Sequence, residues 1–291
     1  MHHTEYKIGV ITNMNGPSMQ DMQKVAKENG VIFETISTDH IPLTGFTSSS
    51  LVEKICQYDI IYYRTGMRDI CLRHLGELLT EKNIPFVNFN ISYVGLHNKI
   101  QQILHADTNN IPHPKSIYTK YFDHDIIAKY LGVPYVVKPN YGSKGNEVAL
   151  ISSADELAHY EETKTKTHQM FQEFIPDAVE YRVYTVGDKG VAAYKKTGGD
   201  GFRKNLHQGG SMEAVESDIL EQLLHAGSWY ANVFDAELSG VDILYKDSVF
   251  YFLELNLQPG WEGLERLSGV KYSEETLKYI LQKAYRHYNQ E

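Results

Sequence analysis

Strand and helix patterns alternate through the first ninety residues, and this alternation restricts the fold more than any other feature of the sequence. YKIGVIT predicts a strand, the segment 18–29 has helical spacing and stops at Gly30, and VIFETIS predicts a second strand. YDIIYY and IPFVNF predict two more strands, with a further helical segment between them. Such alternation indicates a mostly parallel sheet of the α/β class. ITNMNGPS, and not GxGxxG, follows the first strand, so the dinucleotide-binding fingerprint is absent.

From about Leu96 the pattern changes to strands that are separated by glycine-bearing loops. VPYVVKPNYGSKGNEVALI predicts a strand, a loop and a strand, and Ser153 with Glu156 forms a capping box that opens a helix. MFQEFI, YRVYTVG and GVAAYKK predict further strands, and a closing helix begins at about Ser273. A chain of 291 residues is long enough for two or three such subdomains.

Bulk composition argues against several classes of partner and location. A net charge of -9 at pH 7 and a pI near 5.8 disfavour a nucleic-acid backbone or an anionic membrane as main partner, because such binding depends on clustered Lys and Arg. No apolar run approaches the roughly 20 residues of a membrane span, and MHHTEYKIGV lacks the pattern of a signal peptide. Cys56 and Cys71 predict neither a disulfide framework nor a metal site, which favours a cytoplasmic location.

The stretch VDILYKDSVFYFLELN, residues 241–256, predicts two strands joined by a three-residue turn at 246–248. One predicted face is apolar throughout. The other face mixes apolar and polar side chains, namely Leu244, Phe250, Phe252, Asp242, Glu254 and Asn256. Two carboxylates and an amide on an otherwise apolar face therefore need an explanation.

The predicted register brings these polar side chains together. Around a three-residue turn, Asp242 lies opposite Phe252 and diagonal to Glu254, roughly 7 Å away. Lys246, the one cation of the hairpin, is roughly 13 Å from Asp242 at ordinary strand spacing. Carboxylates this close need a counter-ion, and an oxygen-only ligand set suits Mg²⁺. The alternatives are a solvated hairpin face, or a two-residue turn that inverts the parity and separates the polar residues.

Two glycine-bearing segments could hold an anionic ligand. VVKPNYGSKGNEV places Lys138 directly before a loop whose backbone N–H groups could face phosphate oxygens. TGGDGFRKNLHQGGS, residues 197–211, surrounds Arg203 with glycines that let the backbone approach a ligand closely. The first segment lacks the Walker pattern GxxxxGK[ST]. The alternative interpretations are a Gly-Ser hairpin loop with solvated lysines for the first segment and a flexible surface loop for the second.

Together and in this order, these segments resemble the ATP-grasp superfamily, and within it the RimK-type amino-acid ligases. FRxNLHxGG followed by GVDIL and ExNxxPGxEG is the specific part of the resemblance. The matching segments are VVKP at 136–139, GSKG at 142–145, QEFI at 172–175, EYR at 180–182, FRKNLHQGG at 202–210, GVDIL at 240–244 and ELNLQPGWEGLE at 254–265. The likeness extends from about Asn98 to Gly269, and YYRTG at 62–66 is similar to the family's N-terminal domain.

The resemblance implies the three-part ATP-grasp fold, a mixed α/β (α+β) architecture. We expect an N-terminal open parallel α/β domain at residues 1–96 and a central lid subdomain at 97–176. A C-terminal antiparallel-sheet subdomain with the metal site would follow at 177–291. ATP would lie between the last two parts.

The resemblance also implies roles for individual side chains. Asp242, Glu254 and Asn256 match the family's Mg²⁺ ligands, and Mn²⁺ could replace Mg²⁺. The implied ATP-binding residues are Lys99, Lys138, Tyr141, Gly142, Ser143, Gly145, Glu173, Phe174, Ile175, Glu180 and Asn205. The lysines would contact phosphates, the loop 141–147 would cover them, residues 173–175 would hold the adenine, and Glu180 would hold the ribose. Arg203 and Lys138 are the implied catalytic residues. The implied residues on the substrate side are Arg64, Arg182, Arg203, Gly260 and Trp261.

The implied reaction is ATP-dependent ligation of a carboxylate to an amine through an acyl phosphate, with release of ADP and phosphate. Small amino acids or peptides are the expected substrates, a peptide or protein could be the acceptor, and a homo-oligomer is compatible with the sequence. The alternatives are a D-amino-acid or dipeptide ligase of the same superfamily and a non-catalytic ATP-binding regulator.

Two departures from the family pattern fall where substrates should lie. Trp261 stands where the family usually has a small or aliphatic residue, and KKTGGDGFR is less basic than the corresponding run of glutamate ligases. The resemblance therefore extends to ATP and Mg²⁺ but does not identify the carboxylate or the amine.

Overall fold

The computed structural model describes residues 6–12, 15–37, 50–65, 71–88, 98–141, 147–163, 169–198 and 210–289. The strands in these ranges form three sheets. Within the same ranges, no helix combines the length and the apolar character that crossing a membrane requires.

The first sheet is parallel and has the strand order β2-β1-β3-β4. Its elements are β1 (Lys7–Ile11), α1 (Pro17–Glu28), β2 (Ile32–Ile36), α2 (Ser50–Ile55), β3 (Ile60–Tyr63), α3 (Cys71–Glu81) and β4 (Phe86–Val87). The central strand β3 is buried along its whole length, which matches its continuous apolar run and is typical of parallel strands covered on both faces. The predicted parallel α/β unit is confirmed. Arg64 directly follows β3 and so lies at the carboxyl edge of this sheet.

The second sheet is antiparallel and has the order β5-β8-β6-β7. The elements of this stretch are α4 (Lys99–Thr108), β5 (Ser116–Tyr118), α5 (His124–Leu131), β6 (Tyr135–Pro139), β7 (Ala149–Ile151), α6 (Ala154–Thr163) and β8 (Gln169–Glu173). The predicted cap of α6 forms, because the Glu156 backbone N–H donates to Ser153 Oγ at 3.3 Å. A compact core that includes Ile127, Val137 and Phe171 joins α5 and α6 to the sheet.

The third sheet is also antiparallel, with the order β11-β10-β9-β12-β13. Its elements are β9 (Val179–Val186), β10 (Lys189–Gly198), β11 (Gly210–Glu213), α7 (Ser217–Val233), β12 (Leu238–Lys246), β13 (Val249–Asn256), α8 (Leu264–Ser268) and α9 (Tyr272–Asn289). The helix α4 packs on this sheet although it precedes the second sheet in the chain, since Ile103 and Ala106 share a core with Val241 and Ile243. Lys99, at the start of α4, therefore lies close to the third sheet.

Asn88, directly after β4, ties the first sheet to the third. Its Nδ2 group donates to the carbonyl oxygens of Leu238 at 2.8 Å and Leu257 at 3.0 Å, and its backbone N–H donates to Glu237 Oε2 at 3.0 Å. Asn88 has a φ of 59°, in the left-handed region that asparagine tolerates better than most residues. The carboxyl edge of the first sheet thereby meets the ends of β12 and β13.

Candidate active site

The hairpin of β12 and β13 turns over two residues, not three. Asp247 and Ser248 have φ values of 50° and 65°, and Lys246 pairs with Val249. Positive φ at both central positions is the geometry of a type I′ turn, whose backbone twist matches the right-handed twist of the flanking strands. The predicted three-residue turn is wrong for this reason.

A β-bulge restores the side-chain parity that the two-residue turn inverts. Near the turn Ile243 pairs with Phe252, but beyond the bulge Asp242 pairs with Glu254, so the second strand carries one additional residue. Phe252 belongs to the same core as Ile243, and Phe250 packs against that core. The prediction that both phenylalanines share the polar face is therefore wrong, because the bulge lies between them and Glu254.

The three predicted metal ligands nevertheless share one end of the hairpin. Asp242 lies directly opposite Glu254, and Asn256 follows on the same face of β13. Val241 and Leu255, which alternate with them, are buried on the other face. The structure thus brings the carboxylates together as a directly opposed pair, where the predicted register made them diagonal.

Asp242 is paired with two cations that come from neighbouring strands. Arg182 Nε and Nη2 each donate to a different oxygen of Asp242 at 2.6 Å, and Lys196 Nζ donates to Oδ2 at 2.8 Å. Lys196 Nζ also donates to Glu180 Oε1 at 2.6 Å. Strand pairing creates this cluster, since Arg182 on β9 is opposite Asp242 on β12, and Glu180 on β9 is opposite Lys196 on β10.

These contacts keep the buried groups charged. Burial alone would raise the pKa of Asp242, but the charges of Arg182 and Lys196 outweigh it and lower the pKa to about 2. Burial alone would lower the pKa of Lys196, but Asp242 and Glu180 outweigh it and raise the pKa. Asp242 is therefore an anion at neutral pH, and sequence analysis missed Lys196 as one of its partners.

The side chains present fit a hard divalent cation in their chemistry. An ionised carboxylate has about four lone-pair sites, and the contacts of Asp242 with Arg182 and Lys196 leave one of them on Oδ1. Asn256 Oδ1 accepts a hydrogen bond from the Gln258 backbone N–H at 2.9 Å, which orients the amide. Asp242 and Glu254 would supply carboxylate oxygens and Asn256 an amide oxygen. Within the described ranges, no group of three His, Cys, Asp or Glu side chains is placed to hold a metal.

Lys99 lies in the first turn of α4 beside one of the predicted ligands. Its Nζ atom is 3.6 Å from Glu254 Oε2. The helix begins at Asn98, whose side-chain oxygen accepts hydrogen bonds from the backbone N–H groups of Ile100 and Gln101 at 3.0 and 3.2 Å. An N-cap of this kind stabilises the first turn and so the position of Lys99.

Lys138, near the end of β6, is buried but has a neutral hydrogen-bond partner. Its Nζ atom donates to Gln172 Oε1 on β8 at 2.8 Å. Burial lowers the pKa of Lys138 to about 8, although the nearby carboxylate of Glu254 opposes the shift, and the charge of Lys99 adds to it. Among the described residues, Lys138 donates to no carboxylate. A weakly compensated cation of this kind is suited to an anionic ligand.

The predicted adenine and ribose contacts lie at the end of β8 and the start of β9. The Glu173 backbone N–H donates to Lys115 O at 2.8 Å, and Glu173 Oε2 accepts from the Lys115 backbone N–H at 3.1 Å. Phe174 and Ile175 follow, and Glu180 is the acceptor of the lysine contact described above. A nucleotide contact through the Glu173 N–H would therefore require exchange of an existing hydrogen bond.

The predicted phosphate-covering loop, residues 141–147, is described only at its two ends, Tyr141 and Glu147. Tyr141 is 51% exposed, and its hydroxyl accepts a hydrogen bond from Asn98 Nδ2 at 3.1 Å. This residue thus lies over the beginning of α4. The other predicted residues of the two glycine-bearing segments lie outside the described residues, namely Gly142, Ser143, Gly145, Arg203 and Asn205.

Arg64, Gly260 and Trp261 lie together where the first sheet meets the third. Arg64 Nη2 donates to Pro259 O at 2.9 Å, and its guanidinium carbon is 4.7 Å from the centroid of the Trp261 ring. Trp261 Nε1 donates to Asp21 Oδ2 at 2.9 Å. With 6% of its surface exposed, Trp261 joins the two parts of the protein and does not line an open surface.

Comparisons with known proteins identify relatives of this chain and structures that share its fold. The chain is 26% identical over 297 residues to the tetrahydromethanopterin:alpha-L-glutamate ligase of Methanocaldococcus jannaschii, with 95% of this chain and 98% of that protein covered. A solved D-alanine–D-alanine ligase of Bacillus anthracis in complex with ATP has a TM-score of 0.69 and 19% identity, covering 98% of this chain and 99% of that chain. The ATP-grasp ligase PsnB with minimal precursor, Mg and ADP has a TM-score of 0.69 and 16% identity, covering 95% and 97%.

The two solved structures show the fold, and they confirm the predicted mixed α/β ATP-grasp architecture. The family model described as a RimK-like ATP-grasp domain matches residues 97–280, well over half of the chain. This match includes β12 and β13 with Asp242, Glu254 and Asn256, and also Lys99 and Lys138. The chain belongs to the RimK-like ATP-grasp family.

Proposed function

We propose that the protein is an ATP-dependent carboxylate–amine ligase that acts on an amino acid or a peptide. The main support is the directly opposed pair Asp242 and Glu254, with Lys99 beside it and the weakly compensated cation of Lys138 nearby. Membership of a family of ATP-grasp ligases is consistent with this chemistry. With the proposed division of the chain after residues 96 and 176, ATP would lie between the second and third sheets.

Lys99 and Lys138 are the proposed contacts of the nucleotide phosphates. Lys138 would exchange the Gln172 amide for a phosphate oxygen, because a charged acceptor makes a stronger hydrogen bond with an ammonium group than a neutral one does. The loop 141–147, which contains Gly142, Ser143 and Gly145, would cover the phosphates. Residues 173–175 would hold the adenine, and Glu180 the ribose, in the same proposal.

Asp242, Glu254 and Asn256 are the proposed ligands of Mg²⁺, which Mn²⁺ could replace. When bound, such an ion neutralises phosphate charge and orients the transferred phosphoryl group. The protein's own part is to present three oxygens from one end of a rigid hairpin, with Arg182 and Lys196 holding the Asp242 carboxylate in place.

The proposed chemistry has two steps. An oxygen of the substrate carboxylate attacks the γ-phosphorus, the bond from that phosphorus to ADP breaks, and an acyl phosphate forms. The amine nitrogen then attacks the acyl carbon, loses a proton, and phosphate leaves as the amide forms. Lys138 and Arg203 would offset the charge that develops on the phosphoryl oxygens, which is the main contribution a protein makes to such a transfer.

The substrate side is proposed to include Arg64, Arg182, Arg203 and Gly260, and the buried Trp261 would act there through its contact with Arg64. Arg64 is 2% exposed, and its Nε atom has no hydrogen-bond acceptor among the described residues. A buried guanidinium with an unused donor favours an anionic group such as a carboxylate as its neighbour. The cytoplasmic location and the homo-oligomer stay predictions from the sequence.

The test is to measure ADP and phosphate release with ATP and Mg²⁺ against L- and D-amino acids, singly and in pairs, with mass spectrometry of the products. Release with one pair only, with a product lighter than the summed substrates by one water, would establish ligation and name both partners. Release with D-amino acids alone would identify the D-amino-acid ligase alternative. ATP binding without release for any pair, including peptide acceptors, would favour the non-catalytic regulator.

The variant Glu254→Gln tests the proposed metal site in the same experiment. The variant keeps the shape and hydrogen bonding of the side chain but removes one of the two opposed carboxylates. We expect it to fold as the wild type does and to lose ADP release. Unchanged release would remove Glu254 from the proposed metal site.

A further inference from the structure

The strand β13 is the edge strand of the third sheet, and its outer side is covered by side-chain and loop contacts. An edge strand leaves backbone N–H and C=O groups without a strand partner. The Phe252 backbone N–H donates to Pro112 O at 2.8 Å, beyond the end of α4. Another contact with this edge comes from α4 itself, through the side chain of Gln102.

Gln102 pairs with both backbone groups of a single residue of this edge. Its Nε2 donates to Leu255 O at 3.0 Å, and its Oε1 accepts from the Leu255 N–H at 2.8 Å. Gln102 is 3% exposed, so the two hydrogen bonds are shielded from water. A buried backbone group that loses its only partner is costly, which makes this two-point contact a strong constraint on where β13 lies relative to α4.

The residue held in this way stands between two proposed metal ligands. Leu255 separates Glu254 from Asn256, and its side chain is buried in the core. Since successive side chains of a strand point to opposite faces, fixing Leu255 fixes the direction in which Glu254 and Asn256 project. The Gln102 amide therefore anchors β13 at a point between two of the three proposed oxygen donors.

The same contact of Gln102 with β13 also bears on the position of Lys99. Lys99 and Gln102 are three residues apart on α4, a spacing that puts them on the same side of the helix. Lys99 Nζ is 3.6 Å from Glu254 Oε2. A shift of α4 along β13 would change the distance from the lysine to the carboxylate and the approach of both to a phosphate.

We propose that Gln102 is a positioning residue that keeps the proposed phosphate-binding lysine in register with the strand that carries Glu254 and Asn256. This inference rests on the proposed function, because it assigns a role to Gln102 in the nucleotide and metal site. The two side-chain hydrogen bonds of Gln102 go to the backbone of Leu255, and Gln102 is not itself a proposed ligand. It acts through Leu255 on one side and through α4 on the other.

The test compares Gln102→Leu with Gln101→Leu by two measurements that do not depend on turnover. Gln101 is adjacent on α4 but exposed, so its replacement leaves the edge of β13 intact. The first measurement is thermal unfolding. The second is the affinity of the protein for Mn²⁺ with ADP, followed by the enhancement of water-proton relaxation relative to the same Mn²⁺ and ADP without protein, at a temperature where every variant is folded.

We expect Gln102→Leu to weaken Mn²⁺ binding by about tenfold, the lower end of what loss of a partner behind a metal ligand costs. Gln101→Leu should stay within about twofold of the wild type, as a surface change away from such contacts does. A merely structural glutamine would lower the melting temperature of Gln102→Leu and leave its Mn²⁺ affinity unchanged, and that result would overturn the inference.

A second variant covers the case in which Gln102→Leu does not fold. Gln102→Asn keeps the amide but shortens the side chain by one methylene, so it cannot make both contacts with Leu255 at the present helix position. We expect weaker Mn²⁺ binding in the folded Asn variant, and wild-type affinity would overturn the inference. Failure of the wild type itself to bind Mn²⁺ with ADP would overturn the proposed function and this inference together, so the two failures are distinguishable.

Discussion

Lys138 and Lys196 are both buried, yet their pKa values shift in opposite directions. Burial lowers the pKa of Lys138 to about 8, and its Nζ donates to the neutral amide of Gln172. Burial also acts against the charge of Lys196, but contacts with Asp242 and Glu180 outweigh it and raise the pKa. Two buried lysines of one site thus differ in the direction of their pKa shifts and in whether their hydrogen-bond partners are charged.

The difference separates a structural cation from a cation that is suited to binding. Lys196 is compensated within the folded protein, so its charge stabilises the cluster around Asp242 without any ligand. Lys138 donates to no carboxylate among the described residues, so its charge is weakly compensated until an anion arrives. Replacing each lysine should therefore affect different properties, and the following experiments test that separation in order of decreasing effect.

Lys196→Met should have the largest effect, and it should fall on stability. Removing this cation leaves Glu180 without its ammonium donor and Asp242 with Arg182 alone. Breaking a buried ion pair by removing one partner costs about 3–5 kcal/mol, which denaturant unfolding would measure. Lys195→Met is the matched control, since Lys195 pairs with Glu216 near the surface and should cost less than about 1 kcal/mol. Equal losses for both variants would contradict the structural role of Lys196.

Lys138→Met should affect nucleotide affinity and spare stability. A hydrogen bond to a charged group contributes about 1.5–3 kcal/mol, so ATP binding measured by calorimetry should weaken by roughly 10- to 100-fold. The free energy of unfolding should change little, because removal of the desolvated ammonium group offsets the loss of the hydrogen bond to Gln172 Oε1. A stability loss as large as that of Lys196→Met would abolish the proposed difference between the two lysines.

The pKa of Lys138 predicts proton uptake when nucleotide binds. At about pH 9 most Lys138 is neutral in the free protein, and a phosphate beside it would restore the charge, so uptake should approach one proton per site. At about pH 6 the lysine is already charged, and uptake should vanish. Calorimetry in buffers of different ionisation enthalpy measures the number of protons, and Lys138→Met should eliminate the uptake at the higher pH.

The same pKa fixes the sign of the contribution of Lys138 to stability. The unfolded chain retains the ordinary lysine pKa of 10.5, so between about pH 8 and 10.5 the unfolded state binds more protons than the folded state. The free energy of unfolding therefore rises with pH in this window through Lys138. Lys138→Met should remove that rise, which is seen as the difference between the two proteins' stabilities across the window.

Gln172→Glu should have the smallest effect and should make Lys138 resemble Lys196. A carboxylate at this position would compensate the ammonium group before any ligand binds, which raises the pKa of Lys138 towards its ordinary value. Proton uptake at about pH 9 should then disappear, and ATP affinity should fall several-fold, since the carboxylate competes with phosphate. Uptake as large as in the wild type would show that Gln172 does not determine the state of Lys138.

Local sequence patterns predicted the fold well where contacts are local. The continuous apolar run IIYY indicated a buried parallel strand, and β3 is buried along its length. The motifs GVDIL and ExNxxPGxEG contain Asp242, Glu254 and Asn256, which the structure places at one end of the hairpin. The predicted register of that hairpin was wrong for two reasons. Asp247-Ser248 lacks the glycine that usually signals a two-residue turn, and Leu253 carries no sequence signal for a bulge.

The partners of the two buried lysines could not be predicted in the same way. Lys196 meets Asp242 only because β9 lies between β10 and β12, an order that follows from long-range packing. Gln172 meets Lys138 because β8 pairs with β6 across the intervening β7 and α6. A strand pattern indicates which residues share a face, but it does not identify the neighbouring strand. The sequence therefore indicated candidate side chains for the site, but it did not indicate the ion pairs among them.

The contacts of Arg64 and Trp261 have a consequence for exchanging parts between relatives. A chimera that takes its first 96 residues from another family member would separate Arg64 from Pro259 O, a contact that spans 195 residues of sequence. It would also leave the Trp261 indole N–H without Asp21. A transplanted N-terminal part must therefore be accompanied by its own version of the loop 259–261, and the two segments are expected to be inherited as one unit.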